Sequence, residues 1–184
     1  MKLGALVLRG AIGSLFVGHG TQKLFGWFDG PGLDGDSGMM ENLELRPPRR
    51  HALVAGLSET VGGALLAAGA LTPVATAMLT GTMTTAIRKV HAPKGVWNTG
   101  GGYEYNAVLL AAMAALAEHG PGALSVDSSR FPRMHGPAWA LASVAAGVAG
   151  SYLVEQPPFN QPAPEPETST GRFERVEQPV EATA

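Results

Sequence analysis

Four stretches of this chain, residues 3–28, 52–71, 74–90 and 103–119, are apolar over about the length that crosses a bilayer, yet ionisable side chains sit inside them. A hydrocarbon core of roughly 30 Å takes about 20 helical residues and accepts as few as about 17. No period-2 alternation of the kind a half-buried strand needs is present, so the segments read as helices. A soluble, wholly buried bundle is the other way to fold such segments, but they have too little amphipathicity for it. The 184 residues fit one folded unit, and only 15% are charged, against about 25% in ordinary soluble domains. A net charge of -2 gives no footing for a nucleic-acid partner, and the absence of cysteine excludes disulfides and thiolate metal sites.

Breaks between the segments define the order. Lys2 followed by an apolar run resembles a signal peptide, but Arg9 interrupts the run and no clean small-residue cleavage site follows, so a retained helix is expected. Residues 30–50 read as a loop rich in Gly, Asp and Pro, with a short amphipathic stretch near 39–45 and three arginines (Arg46, Arg49, Arg50) at its end. Thr72-Pro73 makes segments two and three an antiparallel hairpin. Residues 88–102 form a polar link, and Gly120-Pro121-Gly122 stops segment four. A fifth apolar stretch, 137–154, carries Trp139 and Tyr152 near its ends, as interfacial aromatics do, and is read as a fifth span. From 155 to 184 the Pro, Glu, Gln and Thr content predicts a disordered tail. The basic links after segments one and three place those links in the cytoplasm and the N-terminus outside.

Charge inside a membrane helix is costly, about 3 kcal/mol per group on insertion scales, and such groups face inward and pair. At about 100° per residue, Lys23 lies roughly 40° and His19 roughly 80° from Arg9, so segment one presents its cations on one side. Glu59 in segment two and Glu104 at the head of segment four supply the opposite sign. Connectivity sends the end of segment one, the 88–102 link and the start of segment four to one face. His19, Lys23, Glu59 and Glu104 are therefore expected to converge, with Arg9 apart from them. The ordinary alternatives are that Lys23 snorkels to the interface, that His19 only packs, and that Arg9 is an interfacial anchor. Thr76, Thr80 and Thr84 form a hydroxyl stripe, and Gly56, Gly62 and Gly63 a close-packing face. Gly100-Gly101-Gly102 reads as a flexible turn, with a backbone anion nest as the alternative. No close-spaced metal motif, serine-nucleophile motif or phosphate loop occurs, and no metal site is expected.

At these same residues the sequence resembles the DoxX family of small bacterial membrane proteins. The matching runs are Gly18-His19-Gly20-Thr21-Gln22-Lys23-Leu24-Phe25-Gly26, Glu59-Thr60-Val61-Gly62-Gly63, His91-Ala92-Pro93-Lys94-Gly95-Val96-Trp97 and Gly101-Gly102-Tyr103-Glu104-Tyr105. Gly120-Pro121-Gly122 and Ser125-Val126-Asp127 follow, so the resemblance spans 3–127. It implies an all-α, membrane-spanning antiparallel four-helix bundle over residues 1–127. Residues 128–154 then form a polar link and fifth helix, and 155–184 the tail, both departures from the family pattern. The resemblance also implies a multi-pass place in the bacterial inner (plasma) membrane. Family members are associated with quinone-linked redox and oxidative-stress complexes. On that reading His19, Lys23, Glu59 and Glu104 hydrogen-bond a quinone and relay protons, while Trp27, His91, Trp97 and Tyr103 line its pocket. No haem, flavin or iron-sulfur motif is evident, so electrons require a membrane or soluble redox protein partner. The alternative is a non-enzymatic assembly partner, or a carrier of a proton or small solute.

Overall fold

In the computed structural model, which describes residues 3–161, the chain is all-helical, with no strand among the described residues. Helix α1 spans Leu3–Phe25, α2 Gly32–Asn42, α3 Pro48–Ala68, α4 Thr72–Ala86, α5 Glu104–His119, α6 Val126–Arg130 and α7 Pro137–Leu153. Helices α1, α3, α4 and α5 form a four-membered ring of packed neighbours, and α7 docks on α4 and α5. Helix α2 lies against α1 and α3 at one end.

The ends of the helices follow local chemistry. Helix α1 stops at Phe25, short of the expected 28, because Gly26 turns left-handed (φ 71°) and starts a 3-10 turn. Glycine takes that conformation without a Cβ penalty. Helix α3 starts at Pro48, earlier than the expected 52, since proline at the first turn forfeits only an N–H that has no partner there. It ends at Gly69 (φ 61°), whose N–H bonds back to Leu66. Helix α4 passes directly into a π-helical turn, Ile87–His91. The expected third span is thus one α segment plus a π turn. Among the described residues, only α1 and α3 are single helices long and apolar enough to cross a membrane by length and composition.

The expected loop at 30–50 contains α2, where Met40 packs with Leu45 and Ala52 in a small second core. The main core takes Ile12 and Phe16 from α1, Leu66 from α3, Leu79 and Met83 from α4, and Met113 and Leu116 from α5. Polar side chains share the interior: Arg9, Asp36, Glu59, Thr76 and Asn106 are all buried. Large apolar ones face out, among them Val7, Leu15, Leu57, Val108 and Leu141. A surface of this kind suits lipid and not water. In the threonine stripe, Thr76 donates across to the Met113 carbonyl of α5 at 3.4 Å.

Residues 155–161, the first part of the expected disordered tail, are ordered. The Arg46 N–H donates to Asn160 Oδ1 (2.6 Å), Gln161 N–H donates to the Arg46 carbonyl (2.9 Å), and Phe159 lies under Arg50. Backbone groups at the α2–α3 corner thereby gain partners that composition alone did not reveal. The rest of that tail lies outside the described residues.

Candidate functional site

The site begins with glycines. A Cβ on Gly13 would lie 2.5 Å from the Gly63 carbonyl, and one on Gly63 would lie 2.6 Å from the Gly13 carbonyl. Bare backbones let α1 and α3 touch, as small residues do where van der Waals packing must hold helices together. Of the expected close-packing face, Gly56 and Gly63 meet α1, while Gly62 meets Leu79 of α4.

That contact sets Lys23 opposite Glu59. The ammonium donates to both carboxylate oxygens, at 2.7 and 2.9 Å, and the Glu59 residue is 4% exposed. Two short charge-assisted bonds hold each group in one geometry. The pairing expected between the first and second apolar segments is therefore present.

Lys23 and Glu59 stand on the wall of a cavity of about 370 Å³ between α2, α3, α4 and α7. The other walls are mainly apolar, including Met39, Met40, Val54, Met78 and Ala146, with His51 at the α3 start. Thr85 lines it too, its hydroxyl donating to its own helix at the Gly81 carbonyl. Such a cavity takes an apolar body and offers a hydrogen-bonding, charge-compensated patch to a polar end.

The remaining candidates are placed elsewhere. Glu104 Oε1 accepts the Asn98 N–H at 2.7 Å, closing the link ahead of α5. His91 Nδ1 is 2.7 Å from the Gly101 carbonyl, and the Tyr103 N–H donates to the Gly95 carbonyl, so His91, Tyr103 and Glu104 brace one compact link. Of the three glycines there, Gly102 is wedged against the backbone of Gly95 and Val96, a structural fit. Trp97 and Trp27 are exposed, and Trp27 stacks with Phe25 and Phe28. His19 Nδ1 contacts Gln22 Oε1 at 3.2 Å on α1 itself. None of these six lines the cavity.

Arg9 is apart from the pair, as expected, but it is no interfacial anchor. It is buried, and its guanidinium donates to the carbonyls of Ala67, Pro121 and Leu124. Beside it Asp127 accepts the N–H groups of Leu71 and Thr72 at 2.7 and 2.8 Å, capping the start of α4. These bonds tie four helix ends together at the far end from Lys23.

Asp36 was not among the sequence candidates. It lies on α2, buried, close enough to Lys23 and Glu59 to feel both charges. The signal available was its spacing from Met40: four residues apart on a helix, both face inward. The Gly-rich composition around it pointed to a loop instead.

Residues 4–92 match the family model described as DoxX. Over these residues the chain is similar to the DoxX family. The match carries a membrane setting with it, in keeping with α1 and α3 as candidate spans. Among curated proteins and among solved structures, none is significantly similar to the chain. The DoxX match takes in α1 to α4 and the π turn, hence Lys23, Asp36, Glu59 and three walls of the cavity. The fourth wall comes from α7, outside it.

Proposed function

We propose that this DoxX-like protein is a multi-pass protein of the bacterial plasma membrane that binds a quinone-type ligand, as the membrane subunit of a redox or oxidative-stress complex. The carrying observation is the cavity: apolar on most sides, with one Lys–Glu pair in its wall. A quinone has a flat apolar ring and two carbonyl acceptors. Lys23 is the donor that would meet a carbonyl, and Glu59 the base that would take a proton from the reduced ring. His19, Glu104, Trp27, His91, Trp97 and Tyr103 act, on this reading, at the membrane face and not on the ligand. Electrons come from or go to a partner protein. Helices α1, α3, α4 and α5 cross the bilayer as an antiparallel four-helix bundle, with α7 as a fifth span. Their outward apolar faces support this.

The test is direct binding. Purified full-length protein in nanodiscs is titrated with short-tail ubiquinone and menaquinone analogues. Saturable binding is expected, weakened about tenfold or more by Glu59→Gln, a loss on the order of 1.4 kcal/mol. No saturable binding of either quinone, or equal binding by the variant, overturns the proposal. Purification in mild detergent separates the alternative: a co-purifying redox enzyme fits the subunit reading, and a lone stable oligomer fits a non-enzymatic carrier or assembly role.

A further inference from the structure

The Lys23–Glu59 pair leaves one charge at this end of the fold unaccounted for. Asp36 is 2% exposed, and its Oδ2 is buried without a hydrogen-bond partner. Helix α2 packs on α1 and α3, and the charged groups that act on Asp36 are Lys23 from the first and Glu59 from the second. Other charged and titratable groups on these helices have partners of their own. Asp34 pairs with Arg49 at 2.7 Å, Glu41 with Arg46 at 3.4 Å, and Arg50 lies over Phe159. His51 Nε2 faces the carbonyls of Arg46 and Phe159, and His19 contacts Gln22.

The cluster therefore sets one cation against two carboxylates. Lys23 gives hydrogen bonds to both oxygens of Glu59, so its charge is largely spent there. An ionised Asp36 would leave a net negative cluster and a bare buried oxygen, which low-dielectric surroundings disfavour strongly. Burial pushes the Asp36 carboxyl above its ordinary range; Lys23 opposes that rise and Glu59 adds to it.

We propose that Asp36 is a proton-binding site, holding one proton at neutral pH so that Lys23, Glu59 and Asp36 together are electrically neutral. The cluster then takes up or releases a single proton at the Asp36 O–H, without moving a cation and without any change of oxidation state. Asp36 does not itself line the cavity, but it acts on Lys23 and Glu59, which do, so its protonation changes the field at that wall. The inference rests on the cluster and not on what fills the cavity.

The test is infrared spectroscopy of the full-length protein in nanodiscs at pH 7, without ligand. A carbonyl stretch from a buried protonated carboxyl group is expected. It should shift when the native protein carries carbon-13 aspartate, stay in place with carbon-13 glutamate, and vanish in Asp36→Asn. Absence of the band overturns the proposal. So does a band that moves with labelled glutamate, which would put the proton on Glu59, or one that survives in Asp36→Asn. If the variant does not fold, isotope labelling of the native chain decides. A protein with the aspartate band that binds no quinone keeps this inference and loses the quinone reading; quinone binding without the band does the reverse.

Discussion

Arg9 shows how a buried charge can serve structure alone. Its three carbonyl acceptors come from the end of α3 and from the turn after α5, and Asp127 beside it caps the start of α4. Replacing one member of such a set leaves the others buried without partners, which typically costs more than the set contributes. Arg9→Ala is expected to destabilise the protein by roughly 3 kcal/mol, seen as a lower unfolding temperature in detergent. Arg9→Lys, with one charge but no fork of donors, should recover only part of it. A variant as stable as the native chain would mean that these carbonyls find other donors. Lys23 and Glu59 differ in kind, because they face a cavity and not a closed turn.

At the scale of elements, the α1–α3 contact is the joint on which the site depends. Gly13, Gly20, Gly56 and Gly63 meet backbone or side chain of the other helix at distances where no Cβ fits. Gly63→Val must push the helices apart, and overpacking of this kind costs about 1–3 kcal/mol. Gly10 on the same α1 has open space where a Cβ would go, so Gly10→Val is the control and should change little. Thermal unfolding of the two variants checks the prediction; equal effects would refute the glycine joint. Helix α2 is held differently. Its Gly-rich sequence has poor intrinsic propensity, and Met40, packed with Leu45 and Ala52, anchors it. Asp36 is buried as a consequence of that packing.

Across the whole molecule, contacts sort the helix ends into two groups. Arg88, after α4, donates to the Ser151 carbonyl and pairs with Glu155 at the end of α7, while Asn160 returns to the start of α3. These ends share a side with Lys23. Arg9 and Asp127 gather the start of α4 and the ends of α3 and α5 on the other. Helix α7 therefore ends on the side where α3 begins, which fits an odd number of crossings. The positive-inside rule would put the basic links inside the cell; on that orientation a fluorescent protein fused to the C-terminus is expected to fluoresce, and alkaline phosphatase fused after residue 133 to be active outside. The opposite pattern at both points would reverse the orientation; a non-fluorescent C-terminal fusion alone would remove α7 as a span.

The sequence by itself determined the helical class, most of the breaks between helices, and the opposite charges that meet as Lys23 and Glu59. Those follow from local rules: apolar length, glycine and proline punctuation, and the cost of leaving charge alone in lipid. The likeness to the family was legible as well, because its motifs are contiguous runs. Only the tertiary structure decided that Glu104 closes its own link with Asn98, that Arg9 is a clamp, that Asp36 joins the pair, and that α7 walls a cavity. Glu104 meets a backbone N–H only six residues away, exposed and outside any helical spacing, while the other contacts join groups far apart in the chain, from Arg9 to Leu124 or from Arg46 to Asn160; no local spacing encodes which of several possible partners a buried polar group will face. Asp36 is the sharpest case. Its neighbours along the chain read as a loop, and it became a buried acid only because Met40 carried α2 down onto the Lys23–Glu59 pair.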